Sequence, residues 1–173
     1  MRTYYKLLVL WLACFSNPVL AERTVVGDWL WDSKSNFNYS VTLNDKGESL
    51  GQYCYFESGN CFFAFRNKIA CKDTYNYPAL VSSDNGTQHL KLTCVAPDKK
   101  KKPLFVVAPF DDLEEIIETS KKIAIVVGLS DGVFKVSRFS LKGSNKAILD
   151  MQADAESKMV SGGDEELPDG QYL

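Results

Sequence analysis

GQYCYFESGNCFFAFRNKIAC, residues 51–71, places three cysteines among six aromatic residues. Its sulfurs are metal ligands, a redox centre or staples, and the choice decides what kind of protein this is. The intervals from Cys54 to Cys61, Cys71 and Cys94 hold six, nine and 22 residues. None is the close pair, two to four residues apart, that puts two thiolates on one zinc. No Cys-x-x-Cys redox pair occurs. The only histidine, His89, falls on the polar side of an alternating segment and is read as a surface residue. That leaves two disulfides. The preferred pairing is Cys54–Cys61, across a hairpin turning at Ser58-Gly59, and Cys71–Cys94, across the loop that holds Pro78. No metal or cofactor pattern is found.

Disulfides imply an oxidising compartment, and the N-terminus agrees. Arg2 and Lys6 precede an apolar run from Leu7 to Phe15, followed by Val19-Leu20-Ala21. This is the layout of a secretory signal over residues 1–21, cut before Glu22. The run is shorter than the roughly 20 apolar residues a membrane span needs. The expected location is periplasmic or secreted. A lesser alternative is lipid anchoring through Cys14, from the lipobox-like Trp11-Leu12-Ala13-Cys14.

Loss of Arg2 and Lys6 leaves 18 bases against 22 acids. Four of those acids lie in the tail at residues 161–173 (SGGDEELPDGQYL), expected to be disordered. Residues 22–160 are therefore charge-balanced, which argues against general attraction to nucleic acid. The run from Lys99 to Lys102 reads as a solvated loop.

Outward from the opening stretch, Phe37, Tyr39, Val41 and Leu43 alternate with asparagine, serine and threonine, the period of a half-buried strand. Ser49–Phe56 and Asn60–Arg66 read as the arms of the hairpin. In Thr87–Val95, Leu90, Leu92 and Cys94 share one side. Phe110, Leu113, Ile116 and Ile117 recur at helical spacing, with Asp111 and Asp112 at the start and Lys121 and Lys122 at the end. Ile123–Val127 is an apolar strand fit to be covered on both faces, and Val133–Leu141 is another strand. Ser144 is placed as the cap of a last helix that buries Ala147, Ile148, Met151 and Ala155 and ends at Gly162-Gly163. The expected fold is α+β: a mainly antiparallel sheet or small barrel-like sandwich with two helices, in one domain over residues 22–160.

Two patterns imitate catalysis. Gly128-Leu129-Ser130-Asp131-Gly132 spells the G-x-S-x-G elbow, but a helix must follow the serine, and here the pattern is that of a strand. Asp111, Asp112, Glu114, Glu115 and Glu118 would suit acid–base chemistry in a cleft, but their spacing sets them opposite the apolar helix face, on a solvated surface. Without a lettered catalytic site the chain reads as non-enzymatic. An exported hydrolase with an unrecognised site is the alternative. Aromatic residues are the one enrichment: twelve of the 21 lie between Trp29 and Tyr77. Most are expected in the core. Trp29 with Trp31, and Tyr53 with Tyr55, are candidates to touch a protein or glycan, the tyrosines on the more exposed face.

The segment from Phe134 to Gly143 (FKVSRFSLKG), followed by Ala147, and the opening Gly27-Asp28-Trp29 resemble the invasion-associated locus B family of exported bacterial proteins. There is a further likeness to uncharacterised exported proteins of Gram-negative bacteria. The resemblance implies a β-rich, disulfide-bearing envelope protein without known catalytic machinery, and brings no functional residue with it.

Overall fold

The computed structural model describes residues 23–95, 104–129 and 132–161. The expected signal sequence, Cys14, the run Lys99–Lys102, Ser130-Asp131 and the stretch from Gly162 onward lie outside the described residues.

Ten strands and two helices follow one another along the chain: β1 (Thr24–Val26), β2 (Trp29–Ser33), β3 (Phe37–Leu43), β4 (Ser49–Tyr55), β5 (Cys61–Arg66), β6 (Asn76–Ser83), β7 (Gly86–Val95), β8 (Leu104–Ala108), α1 (Phe110–Thr119), β9 (Lys122–Gly128), β10 (Phe134–Ser140) and α2 (Ser144–Ser161). The strands form one sheet in the order β1-β2-β3-β4-β5-β8-β7-β6-β9-β10, and every pairing is antiparallel. The fold is α+β and mainly β. The sheet is not closed, so the barrel-like form of the expectation is corrected to an open sheet with β1 and β10 as its edges.

Those edges nevertheless meet. Asp28 donates its backbone N–H to the Lys142 carbonyl at 2.9 Å, and Trp29 Nε1 donates to the Ser140 carbonyl at 3.0 Å. Gly27 and Gly143 let the two backbones approach. Both have positive φ, and a Cβ on Gly143 would stand 2.1 Å from the Val26 carbonyl oxygen. A sheet with ordinary right-handed twist is thus curled far enough to seal one edge against the turn before α2.

The inner face of the curl holds the core. Trp29, Leu50, Phe63, Phe65, Leu92, Phe105, Ile123, Ile125 and Phe139 meet Leu113, Ile116 and Ile117 of α1 and Ala147 and Ile148 of α2. Farther along α2, Met151 and Ala155 pack on Cys54 and the half-buried Trp31. Apolar burial at roughly 25 cal/mol per Å² makes this the main source of stability.

Several local expectations are corrected here. In β3 the period of two is present but inverted except at Val41, which is buried as expected: Asn38, Ser40 and Thr42 are buried too, while Phe37 and Tyr39 are half-buried and Leu43 is exposed. The helix supplies the reason. Asn38 Nδ2 donates to the Met151 carbonyl at 3.1 Å and to Asp154 at 2.8 Å, and Thr42 Oγ1 donates to the Asp28 carbonyl at 2.9 Å. Three further strands, β1, β6 and β8, stand where no strand pattern is seen in the sequence. Leu104–Ala108 is β8, and Pro78 lies in β6 rather than in a loop. Pro78 pairs only with β7, because the ladder to β9 begins at Ala79. A residue without an N–H is tolerated where one strand side is open. In β9 only Ile123, Ile125 and Val127 are buried, so one face is covered rather than two. Lys121 and Lys122 lie beyond α1, and their backbone N–H groups reach Asp84. Ser144 Oγ donates to the Leu141 carbonyl at 2.8 Å, and the first turn of α2 bonds instead to the Gly143 carbonyl.

Candidate functional site

Both disulfides pair as preferred: Cys54–Cys61 and Cys71–Cys94. Cys54 and Cys61 sit directly opposite in the β4–β5 ladder, with Cα atoms 4.1 Å apart. The bridge lies on the inner face beneath α2. Because strand side chains alternate, it forces Tyr53, Tyr55 and Phe62 to the outer face.

There they are not alone. The register pairs Phe37 with Tyr55, Tyr39 with Tyr53, and Tyr53 with Phe62. The five rings form one connected cluster. Phe37 lies 5.2 Å from Tyr55, Tyr39 lies 5.8 Å from Tyr53, and Phe62 stacks on Tyr53 at 5.8 Å and on Tyr55 at 5.9 Å. Every ring is half-buried, by its neighbours. Among the described residues both helices pack on the opposite face of these strands.

Charge borders the cluster. Asp32, 3 % exposed, accepts from Lys34 Nζ at 2.6 Å, from Tyr39 Oη at 3.0 Å and from the Ser33 N–H at 2.7 Å, with Arg23 3.6 Å away. Burial alone would raise its pKa, but these hydrogen bonds prevail and hold the carboxyl below its ordinary range. The Tyr39 phenol is pushed up by burial and by its bond to Asp32, and the Tyr53 phenol is pushed up chiefly by burial.

The tyrosine pair of the sequence reading therefore joins Phe37, Tyr39 and Phe62. The inverted alternation of β3 concealed the first two, and the pairing of β5 with β4 adds the third. The tryptophan pair does not join them. Trp29 is 1 % exposed and belongs to the core, held by its bond to Ser140, so it is corrected from a candidate contact to a structural residue. Trp31, half-buried on the same inner face, packs against α2.

The two imitations of catalysis separate. The G-x-S-x-G letters join β9 to β10, and the strand after them pairs back antiparallel along its whole length, so no helix opens there. On α1, Asp111, Glu115 and Glu118 are exposed as expected. Asp112 and Glu114 are half-buried instead, and at Glu114 burial, then repulsion from Glu118 and Asp111, raises the carboxyl above its ordinary value. His89 is exposed on β7. Among the described residues no group of three histidines, cysteines or carboxylates is arranged to hold a metal, and no helix is long and apolar enough to cross a membrane.

No protein-family model matches the chain, and no curated protein matches it in sequence. Among solved structures, invasion associated protein B from Bartonella henselae is similar, with a TM-score of 0.55 at 12 % identity, over 79 % of this chain and 99 % of that one. At that identity the likeness is one of fold, and it meets the resemblance read from Gly27–Trp29 and Phe134–Gly143 at the level of the fold.

Proposed function

We propose that this chain is an exported, disulfide-stapled, non-enzymatic protein of the bacterial envelope, periplasmic or secreted, that binds a macromolecular partner through the outer aromatic face of β3, β4 and β5. The single observation that carries the reading is the five-ring cluster of Phe37, Tyr39, Tyr53, Tyr55 and Phe62. Aromatic rings give large contact area at little entropic cost, and tyrosine is enriched among the residues that dominate binding energy. A surface hydrophobic cluster with a polar rim is the anatomy of a protein interface. Here Arg23, Lys34 and Asp32 lie at the rim.

A protein fits better than a glycan. Sugars stack on open ring faces, whereas the faces of Tyr53, Tyr55 and Phe62 are turned toward one another, at interplanar angles of 14° and 13°. Export is supported by the signal-like first 21 residues and by two disulfides, which persist in oxidising compartments.

The test is affinity capture from envelope extract on the immobilised mature chain. A parallel arm sediments it with insoluble cell-wall glycan. Replacing Tyr53 and Tyr55 by alanine should weaken capture of a discrete protein by about 30-fold or more, the loss of at least one dominant contact worth about 2 kcal/mol. Undiminished capture by the variant, or co-sedimentation with glycan alone, would refute the protein-binding reading.

A further inference from the structure

The curled sheet has two edges, and they differ. β1 is three residues long, too short to template another strand well. β10 runs seven residues, from Phe134 to Ser140, and pairs only with β9, in a ladder without a bulge or a proline.

The alternation of β10 fixes which backbone groups are left over. Leu141 donates its N–H to the Lys121 carbonyl, on the β9 side, while Ser140 turns its carbonyl the other way, to the Trp29 indole. Odd-numbered residues of β10 therefore bond to β9, and the N–H and C=O groups of Phe134, Val136 and Arg138 face away from it. Among the described residues these groups meet no hydrogen-bond partner. The seam with Asp28 and Trp29 closes this edge only from Ser140 onward.

Open edges are commonly guarded by charge. Lys135 does not serve, because it turns to the inner face and is neutralised by Glu48 at 3.1 Å. Arg138 is exposed and has no ion pair with the described residues. It shares the outer face with Val136 and with Phe134, which is 66 % exposed. One free charge and one open ring thus flank Val136 at equal distance along the strand.

We propose that β10 pairs with β10 of a second copy of this chain, antiparallel about Val136, so that two sheets become one. Self-complementarity selects the occupant. This register sets Phe134 opposite the partner's Arg138 at both ends of the ladder, a cation over a ring, and leaves no like charges opposed. Centring on Lys135 instead would oppose it to the partner's Lys135. Centring on Ser137 would need the Ser140 carbonyl, which Trp29 already holds. A ladder over residues 134–138 buries less than the roughly 1,200–2,000 Å² of a standard interface, so the dimer is weak, with a Kd on the order of 100 µM. The aromatic face of β3, β4 and β5 takes no part, so this pairing and the binding proposed there stand or fall separately.

The test is sedimentation equilibrium of the mature chain over about 10 µM to 1 mM, a range that brackets this constant. The native chain should pass from monomer to dimer, and the N–H groups of Val136 and Arg138 should gain protection from hydrogen exchange as it does. Phe134→Lys places a lysine against the partner's Arg138 twice and should weaken association by about tenfold or more. Adding Arg138→Glu to that variant makes both pairs opposite in charge and should restore the dimer, which also shows that the single variant is folded. A native chain that stays monomeric throughout would overturn the proposal. So would a dimer indifferent to Phe134→Lys, or a double variant that does not associate.

Discussion

Gly143→Ala is the perturbation that most sharply tests how the open sheet is curled. At φ +89° the residue lies where an alanine costs about 1–2 kcal/mol. The new Cβ would also stand 2.1 Å from the Val26 carbonyl oxygen and 2.7 Å from its carbon. Both are backbone atoms, so the seam itself must open. Opening it strains the Asp28-to-Lys142 hydrogen bond and the Trp29-to-Ser140 bond. Asp28 and Lys142 are exposed, but leaving the buried Trp29 indole N–H unpaired costs roughly 1–3 kcal/mol. The expected loss is about 2–5 kcal/mol, a large part of a typical total of about 5–15 kcal/mol. Gly47→Ala is the matched control. Its φ of +71° carries similar strain, but nothing lies within 4 Å of the added Cβ. Urea unfolding of the two variants should show Gly143→Ala less stable by at least about 1 kcal/mol, a midpoint difference of roughly 0.5 M. In the Gly143 variant the Trp29 indole N–H should also exchange faster with solvent. Equal midpoints would refute the reasoning, because the two edges would then not be held together through this contact.

Replacing Cys54 and Cys61 by alanine should cost about 2.5 kcal/mol in urea, and replacing Cys71 and Cys94 about 3.5 kcal/mol, since the second pair closes the longer loop, 23 against 7 positions apart. Acid should destabilise the fold through Asp32, Glu48 and Asp154. Their folded pKa values lie below the ordinary ones of 3.8, 4.5 and 3.8, so their stabilisation is complete above about pH 5.5 and is lost as pH falls through the folded values. A pH series of thermal melts checks this, and Asp154→Asn should flatten it. Glu114 runs the other way. Its folded pKa is raised, so its charge opposes folding above that value, and Glu114→Gln should raise the melting temperature at pH 7 but not at pH 3.

How much the sequence revealed depended on whether a pattern carried direction. The cysteine intervals and the hairpin between Tyr55 and Cys61 were legible, because cross-strand geometry leaves few ways to pair residues seven positions apart. The apolar spacing of α1 was legible for the same reason. The alternation in β3 was visible, but a period of two defines two faces without saying which one turns inward. That choice was made by α2, whose Met151 carbonyl and Asp154 carboxylate receive Asn38. Nothing within residues 37–43 records a partner more than 100 positions away. The strand β6 was hidden by Pro78, which is tolerated there because β9 starts pairing one residue later. The aromatic cluster was half legible. Tyr53 and Tyr55 stand out through their alternation with Cys54, while Phe37, Tyr39 and Phe62 join them only through strand register.

The central claim is that the outer face of β3, β4 and β5 is a partner surface. The most direct measurement is site-specific photo-crosslinking in cells that export the protein, with p-benzoylphenylalanine in place of Phe62. The control carries the same residue in place of Tyr75, which is 52 % exposed and outside the cluster. The account predicts a discrete protein adduct from position 62, absent from position 75 and lost when Tyr55→Ala is added. No adduct at position 62, or the same adducts from both positions, would contradict it.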